Sequence, residues 1–325
     1  MLCILLIGCG LCFSAEYKMP EDKDLSLGTS VIRHYVREID NAANVEGYKY
    51  GVYVNQSSKK RLKDMSYVFA DEFQLPRDVY LQGICFTEKF VLITSYADEQ
   101  KTLGKIMIYD KETGEYLLSL GMDESSHLGG IAYDGSSIWV CNSSKMALER
   151  ISYTFICVAA ANHRGESLDI RNLVELYPVK LIPSCITFHD GLLWIATHKK
   201  YTNSTMMSYQ FDVLNNELNF ESVYQIPSKV QGVVFDENGR IIFSTSYGRK
   251  NSSFLKIYPS VEKMSINIDE YEQLIELPPC SEGIDINNQQ LFIIFESAGE
   301  KYLEGTDGKG KSIAPLDKIL IIDLT

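Results

Sequence analysis

The sequence predicts an all-β fold, a five-bladed β-propeller with four-stranded blades, and two observations support this. A five-residue motif recurs roughly every 50 residues, which is the signature of a repeat architecture. Each copy is followed by a turn and further short apolar runs, and four short strands per repeat are typical of a propeller blade. Because each blade adds its own piece of sheet around one axis, all five copies fit in one domain.

The five copies of the motif align residue by residue. Their third position is always Ile or Val, their fifth is Phe, Tyr or Ile, and their second is Gly in four copies. Apolar residues at every second position indicate a strand, and Gly permits neighbouring backbones to approach closely at a crowded axis. The copies, which predict blade starts near residues 82, 129, 184, 231 and 282, are Gln82–Phe86, Gly129–Tyr133, Ser184–Phe188, Gln231–Phe235 and Glu282–Ile286.

The later strands of each repeat follow from turns and apolar runs. Asp134-Gly135 and Asp190-Gly191 are turn pairs that suit hairpins. The last repeat ends after only three strands, so we expect residues 67–75 to supply its fourth strand. That exchange would close the ring and remove an open sheet edge. The propeller is therefore predicted over residues 67–325.

The first 66 residues are predicted to lie outside the ring. Residues 1–15 have the apolar stretch of a secretory leader, too short to span a bilayer as a helix. Leu6 to Cys9 resembles the bacterial lipoprotein signal, which leaves a lipid anchor at Cys9 open. Residues 16–66 are predicted to form an extension, with a short N-terminal helix over 26–44 whose apolar residues share one face. We expect a secreted or cell-surface protein with no transmembrane span.

The charge balance limits the partners. The net charge is −12, from 43 acidic and 31 basic residues, which argues against a nucleic-acid partner because such proteins carry a basic face. It is compatible with secretion, with a bound cation, or simply with a soluble surface. We expect a monomer. The five cysteines after the leader are odd in number and lack C-x-x-C spacing. Cys85, Cys141 and Cys185 fall in apolar strand patterns and are expected to be core residues, although one disulfide stays open.

Polar residues converge where first strands begin and second strands end. These strand tips would surround the mouth of the central channel, and polar groups at a concave mouth are the default site hypothesis. Tyr96 and Tyr247 would stack a flat or sugar-like ligand, and Arg249 would pair an anionic group. The predicted ligand-binding residues are Gln82, Tyr96, Ser184, Gln231, Tyr247 and Arg249. The alternative is that strand tips are polar only because they meet water.

Two further sets of residues at the mouth suggest chemistry. Glu282, Glu296 and Asn142 offer the oxygen ligands that calcium takes, with ordinary solvated glutamates as the alternative. His127 and His198 are candidate general bases, since histidine titrates near neutral pH. As an alternative, they are hydrogen-bonding surface residues.

One motif match is rejected on physical grounds. Residues 305–312 fit the phosphate-loop pattern letter by letter. That loop must open a helix whose N-terminal amides hold the phosphate, whereas in this chain Pro315 and then a predicted strand follow. We expect a flexible loop between the second and third strands of the last blade.

The repeats resemble a broad superfamily of calcium-dependent propellers that includes gluconolactonase-like, strictosidine-synthase-like and NHL-repeat proteins. The run Ser281-Glu282-Gly283-Ile284 is similar to the strand start whose Glu binds the central calcium in lactonase-like members, and Asn142 is similar to the Asn that joins it. The resemblance implies bound Ca²⁺ and hydrolysis of a lactone or ester.

Two functions therefore remain open, with a third beside them. The first is a secreted or surface-anchored propeller that binds a small-molecule, glycan or protein ligand at the channel mouth. The second is a calcium-dependent lactonase or esterase that uses the same mouth. The third is a structural adhesion module that binds through its outer rim. Fold class alone does not decide among them.

Overall fold

The computed structural model describes residues 59–62, 65–70, 72–76, 78–97, 102–123 and 126–324. Within these residues the strands form five sheets, each built on a hairpin that starts at one copy of the repeated motif. The predicted leader, the candidate lipid anchor at Cys9 and the predicted helix over residues 26–44 lie outside the described residues.

Each sheet contains four antiparallel strands, which follow one another from the inner strand outwards. Blade 1 consists of β3 (Tyr80–Phe86), β4 (Phe90–Tyr96), β5 (Lys105–Asp110) and β6 (Tyr116–Gly121). Blade 2 consists of β7 (Ile131–Tyr133), β8 (Ser137–Asn142), β9 (Ala147–Ser152) and β11 (Glu175–Pro178). Blade 3 consists of β12 (Cys185–His189), β13 (Leu192–Ala196), β14 (Ser204–Asp212) and β15 (Glu217–Ile226).

The last two blades complete the ring. Blade 4 consists of β16 (Val230–Phe235), β17 (Ile241–Thr245), β18 (Ser253–Tyr258) and β19 (Gln273–Leu277). Blade 5 consists of β20 (Ser281–Asn287), β21 (Gln290–Phe295), β22 (Ile319–Asp323) and the early strand β2 (Tyr67–Ala70). Two short parallel strands extend the outer edges of two blades: β10 (Ser167–Asp169) on β6 and β1 (Lys59–Arg61) on β19.

The ring closes with a strand from the N-terminal side of the chain, as the sequence predicts. Strand β2 pairs antiparallel with β22, with Val68 opposite Ile321. The outer strand of blade 5 and its three other strands therefore come from opposite ends of the propeller segment, so the two ends are held by one sheet.

The glycines of the motif permit the inner strands to pack around the axis. A methyl group on Gly130 would lie 2.7 Å from the Cα of Cys185 in blade 3. One on Gly283 would lie 2.7 Å from the Cα of Gly83, so the same crowding occurs where blade 5 meets blade 1. The inner strands contact one another in the order β3, β7, β12, β16, β20 and back to β3.

Each pair of neighbouring blades encloses its own hydrophobic core. Five clusters of buried side chains lie between blades 1 and 2, 2 and 3, 3 and 4, 4 and 5, and 5 and 1. Trp139 is fully buried between blades 2 and 3, and its indole Nε1 donates to Asp134 Oδ2 at 2.7 Å. Because both faces of each sheet are covered, apolar runs in the inner strands are long.

Three helices in the described part of the chain connect strands. They are α1 (Tyr153–Asn162), α2 (Val261–Ile266) and α3 (Glu300–Leu303). The repeat alone did not predict them, because they lie in connections that differ from blade to blade. No helix in the ranges described is long and apolar enough to cross a membrane.

The cysteines that follow the leader are unpaired. Cys85, Cys141, Cys185 and Cys280 are buried, and Cys157 is half-buried. Cys85, Cys141 and Cys185 are core residues of their strands, as the apolar pattern of those strands predicted, whereas Cys280 precedes β20 and packs with Tyr80 and Tyr302.

Candidate functional site

The predicted mouth of the channel exists as one end of the ring. Tyr80 pairs with Tyr96 where β3 begins and β4 ends, and Ser281 pairs with Phe295 where β20 begins and β21 ends. The opposite end of each hairpin carries the tight turn. Strand starts and strand ends of different blades therefore share one face, and polar tips from distant parts of the sequence meet there.

Glu282 and Glu296 form a carboxyl pair at this mouth. Their side chains hydrogen-bond to each other, and Glu282 is only 3% exposed. Burial raises the pKa of Glu282 well above its ordinary value, and the nearby charge of Glu296 raises it further. Burial also raises the pKa of Glu296. Glu296 is half-buried, and two adjacent carboxyls in such surroundings do not both ionise readily, so the arrangement favours retention of a proton by the pair.

Three neutral donors surround the carboxyl pair. Gln231 Nε2 donates to Glu282 Oε1 at 2.8 Å, and Gln82 Nε2 donates to Glu296 Oε2 at 3.3 Å. The Tyr302 hydroxyl also hydrogen-bonds to Glu296. The Tyr302 and Gln82 bonds partly offset the effect of burial on the pKa of Glu296, as does the ammonium of Lys301 nearby. The sequence predicted both glutamines at the mouth, and the structure brings both to the pair.

An aromatic cluster borders the carboxyl pair. Tyr80, Tyr302, Tyr96 and Cys280 pack together apart from the five cores between blades. The ring centroid of Tyr80 lies 5.1 Å from that of Tyr96 and 5.8 Å from that of Tyr302. His127, an exposed side chain, stacks on Tyr96 with ring centroids 4.4 Å apart and an interplanar angle of 16°. The structure thus places His127 beside the predicted stacking residue Tyr96.

Lys301 extends into this aromatic cluster from α3. Its Nζ lies 3.8 Å from the ring centroid of Tyr80, 4.7 Å from that of Tyr96 and 5.4 Å from that of Tyr302. The same Nζ donates to the Tyr96 hydroxyl at 2.8 Å. We refer to the three tyrosines around Lys301 as the tyrosine cage.

Arg249 holds the loop that carries Lys301. Its guanidinium donates to Asp307 Oδ1 at 2.8 Å and to the Lys301 carbonyl at 2.8 Å, and it also donates to the Gly310 carbonyl. The Arg249 Cζ lies 4.3 Å from the ring centroid of Tyr302. The anionic group that Arg249 pairs is therefore Asp307 of this chain, whose pKa its hydrogen bond lowers to about 2.

The phosphate-loop match lies in this same loop. Residues 305–310 follow α3 in a series of turns, and no helix begins after them before β22. Backbone amides at a helix start, which would hold a phosphate, are therefore lacking in residues 305–324, in agreement with the rejection of the match.

The remaining predicted ligand-binding residues lie on the blade 3 and blade 4 part of the rim. The His198 backbone N–H donates to Ser184 Oγ at 3.0 Å, and the His198 Nδ1 lies 3.2 Å from the Val230 carbonyl oxygen. Tyr247 is 38% exposed, with Lys200 Nζ 4.1 Å from its ring centroid. These contacts orient His198 and place an ammonium group over the Tyr247 ring, and the roles of both residues in binding or catalysis stay predictions.

Asn142 is held within blade 2, apart from the carboxyl pair. Its Nδ2 donates to Asp123 Oδ2 at 3.1 Å and to Glu149 Oε1 at 2.9 Å. Its Oδ1 accepts hydrogen bonds from Ser144 Oγ and from the Lys145 backbone N–H. Both ends of the amide are thus engaged locally. The sequence pattern did not indicate this because Asp123 and Glu149 lie outside the motif columns.

The side chains around the carboxyl pair do not match a calcium ligand set. Calcium takes six to eight oxygen ligands, whereas two amide N–H groups and one hydroxyl are directed at these carboxyls. Within the described ranges, no three His, Cys, Asp or Glu side chains are grouped to hold a metal ion. Calcium binding stays a prediction, made from the oxygen-bearing side chains at the mouth and from the resemblance.

Tyr80, Lys301 and Tyr302 are site residues that the repeat pattern did not identify. Tyr80 precedes the first motif by two positions, and the other two lie in the connection between β21 and β22, which no other blade matches in length. That unusual length is the signal that could have identified them, because long connections in a repeat protein often carry function.

Comparison with known proteins finds similar solved structures but no family. A scan against models of protein families and a search of curated proteins both find no match. The glutaminyl cyclase of Myxococcus xanthus is a similar solved structure, with 9% identity, a TM-score of 0.49, 82% of this chain covered and 97% of that one. The hydrazine synthase of Kuenenia stuttgartiensis has 10% identity, a TM-score of 0.38, and 70% and 56% covered.

A nidogen/laminin complex is similar at the same level, with 12% identity, a TM-score of 0.40, and 70% of this chain and 84% of that chain covered. Likenesses this low say nothing about activity, and the architecture is established by the five sheets, their register and their closure. The chain is a five-bladed β-propeller.

Proposed function

We propose that this protein binds a small-molecule ligand at the mouth of its channel. The observation that carries the proposal is the Glu282–Glu296 pair, a buried carboxyl and a half-buried one that hydrogen-bond to each other where the strand tips converge. Burying two such groups is costly, and a fold that needed only stability would place apolar residues there. The lone pairs that the carboxyl oxygens do not use in their mutual hydrogen bond offer a ligand acceptors.

The ligand would be oriented by groups of different chemistry. Gln82 and Gln231 already hold one carboxyl each, so their bonds fix the orientation of the pair. The aromatic rings of Tyr96 and His127 form a flat wall beside it. The polar carboxyl pair therefore lies beside the aromatic rings of Tyr96 and His127, and such a combination of polar and aromatic groups is typical of small-molecule sites.

We infer hydrolysis of an ester or lactone as the second candidate, on the raised pKa of the carboxyl pair. The ionised member of the pair would accept a proton from a water molecule whose oxygen attacks the carbonyl carbon. The protonated member would give its proton to the leaving oxygen as the carbon–oxygen bond breaks. Two carboxyls with different protonation states are the groups such acid–base chemistry needs.

The proposed location is outside the cell, on the surface or secreted. It is supported by the apolar stretch within residues 1–15 and by the acidic composition. A glycan or protein ligand at the same mouth would use the exposed rim residues such as Tyr247. We favour a small molecule because the carboxyl pair lies at the axis, where the inner strands meet.

A ligand screen with two matched variants tests the binding proposal. Thermal shift against a library of small metabolites would identify ligands of the wild type, since a ligand that binds only the folded state raises the Tm. Affinities would then be measured by calorimetry for wild type, Glu282→Gln and Glu237→Gln. Glu237 lies in the turn between β16 and β17, at the opposite end of the ring from the mouth.

We expect Glu282→Gln to weaken binding at least tenfold and Glu237→Gln to leave it unchanged. Equal affinity in all three proteins would overturn the mouth as the binding site, and a library with no ligand for the wild type would favour an adhesion module. The hydrolase candidate is tested on a panel of chromogenic esters and lactones. Undiminished turnover in Glu282→Gln would exclude it.

A further inference from the structure

We propose that the tyrosine cage is a subsite for an organic ammonium ligand, and that the Lys301 side chain stands as an internal ligand in that subsite. The inference rests on the proposed function, because it names the chemical class that the channel mouth recognises. Its starting observation is an ammonium group already held by three aromatic rings.

The geometry of the cage is that of a cation site. Three ring centroids lie within about 6 Å of one ammonium, the range in which a cation is attracted by an aromatic quadrupole. Tyr80 and Tyr302 are both largely buried, at 6% and 9% exposed, so the rings are fixed by packing before a cation arrives. Surrounding a cation with aromatic rings is how proteins recognise choline-like and methylated ammonium groups.

The charge next to the cage also favours a cation. Glu296 accepts a hydrogen bond from Tyr302, and the Lys301 ammonium lies close enough to lower the pKa of that carboxyl. A ligand ammonium in the same position would meet the same three rings and the same carboxyl. The cage and the carboxyl pair are therefore adjoining parts of one site, one for the cation and one for polar groups of the ligand.

Lys301 is attached in a way that permits its replacement. It belongs to α3, a helix of four residues in the connection between β21 and β22, so its backbone lies outside the strands of the ring, while its ammonium contacts Tyr80 of β3 and Tyr96 of β4. Arg249 anchors this connection through Asp307 and two backbone carbonyls, and not through the Lys301 ammonium. The ammonium can therefore leave the cage by side-chain rotation while the loop stays anchored.

A lysine ammonium is also a weaker occupant than a methylated one. Lys carries a compact charge that is strongly hydrated, so moving it into the cage costs more desolvation than moving a quaternary ammonium. Because Lys301 is covalently attached beside the cage, its ammonium has a high local concentration there, and this compensates for the larger desolvation cost. Removing the tethered ammonium should therefore expose the preference of the cage for a free organic cation.

Calorimetry with choline and its neutral isostere, 3,3-dimethylbutan-1-ol, tests the inference on the full chain. The two probes have the same shape and differ in charge. The proteins are wild type, Lys301→Ala and Lys309→Ala, the last being a control on the same loop whose side chain is 78% exposed. We expect Lys301→Ala to bind choline at least tenfold more tightly than the other two, and we expect no protein to bind the neutral probe.

A second variant keeps the test decisive if neighbouring side chains fill the space that the Lys301 side chain leaves in Lys301→Ala. In Lys301→Ala/Tyr80→Leu the gain in choline affinity should disappear while the Tm stays close to that of Lys301→Ala. Choline binding that Lys301→Ala does not increase, or that the neutral probe equals, would overturn the inference. If Lys301→Ala alone fails to fold, Lys301→Gln provides the same comparison.

The outcomes separate this inference from the proposed function. If choline shows no gain with Lys301→Ala while screened ligands lose affinity in Glu282→Gln, the ammonium subsite is wrong and the binding mouth stands. If screened ligands bind Glu282→Gln as tightly as wild type, the binding mouth itself is wrong.

Discussion

At the scale of single residues, Asp285 is a half-buried carboxyl whose hydrogen bonds join two blades of the ring. It lies on β20, three residues after Glu282, and its Oδ2 accepts the backbone N–H of Phe86 at 2.7 Å. Its Oδ1 accepts the N–H of Ile286 at 2.9 Å. Because Phe86 belongs to blade 1, this carboxyl joins the last blade to the first.

Asp285 is also predicted to make stability depend on pH. Burial raises its pKa from 3.8 to about 7, although the two backbone N–H groups act in the opposite direction. Between these values the folded state binds a proton that the unfolded state has released, so stability falls as pH rises from about 4 to 7. Above about 7 neither state holds the proton, and the contribution becomes constant.

We expect the Asp285→Asn variant to lose part of this slope. Free energies of unfolding from denaturant titrations at pH 5, 6, 7 and 8 measure it, and one proton contributes at most about 1.4 kcal/mol per pH unit. Glu112→Gln, at the exposed turn between β5 and β6, is the matched control and should keep the wild-type slope. A wild-type slope in Asp285→Asn would show that Asp285 does not titrate in this range.

At the scale of the strand, the motif glycine is the residue that the ring depends on most directly. A methyl group on Gly283 would lie 2.7 Å from the Gln82 backbone oxygen, as well as close to the Gly83 Cα. Backbone atoms of a neighbouring inner strand cannot move aside without shifting the whole strand. The contact is therefore unlike one with the end of a flexible side chain.

We predict that Gly283→Ala lowers the free energy of unfolding by about 1–3 kcal/mol, the usual cost of overpacking. Gly121→Ala is a suitable comparison, because the nearest atom to its added methyl group is the Leu103 Cδ1 at 2.7 Å. That side chain can rotate away, so a smaller loss is expected. Denaturant unfolding of both variants measures the difference, and equal losses would contradict the role assigned to the strand backbones.

The sequence predicted the elements that every blade shares and missed those that occur in a single blade. The repeat specified the inner strands because every blade needs the same alternation and the same small residue at the axis. The long connection with α3 has no counterpart in the other blades, so no column of the repeat indicated Tyr302 or Lys301. Asn142 was placed with the glutamates by its position at a strand end, but local hydrogen bonds to Asp123 and Glu149 decide its orientation.

At the scale of the whole molecule, the ring makes the fold and the site interdependent. Gln82 from blade 1 bonds Glu296 of blade 5, and Gln231 from blade 4 bonds Glu282 of blade 5. Both carboxyls belong to blade 5, and their glutamine partners come from blades 1 and 4, so these hydrogen bonds require the closed ring. The sequence allowed prediction of the closure because the last repeat lacked a strand, whereas the bonds across blades depend on geometry that no local pattern contains.

A proline in the closing strand tests this dependence. Asp323 N–H donates to the Ser66 carbonyl, so the alternation of an antiparallel pair places the Val68 N–H against Ile321. Val68→Pro removes that bond and strains the strand, which should cost about 2 kcal/mol or more. Val68→Ala keeps the N–H and is the control, since the Val68 side chain is 54% exposed and contributes little burial.

The consequence should reach the channel mouth, although Val68 lies in an outer strand of blade 5. If closure holds blades 1, 4 and 5 in register, loosening β2 exposes the Glu282–Glu296 pair to water and lets its pKa fall towards the ordinary range. Backbone hydrogen exchange in Val68→Pro should then rise at residues 80–86 and 281–287 as well as at 319–323. Faster exchange confined to β22 would mean that the inner ring holds together without its closing strand.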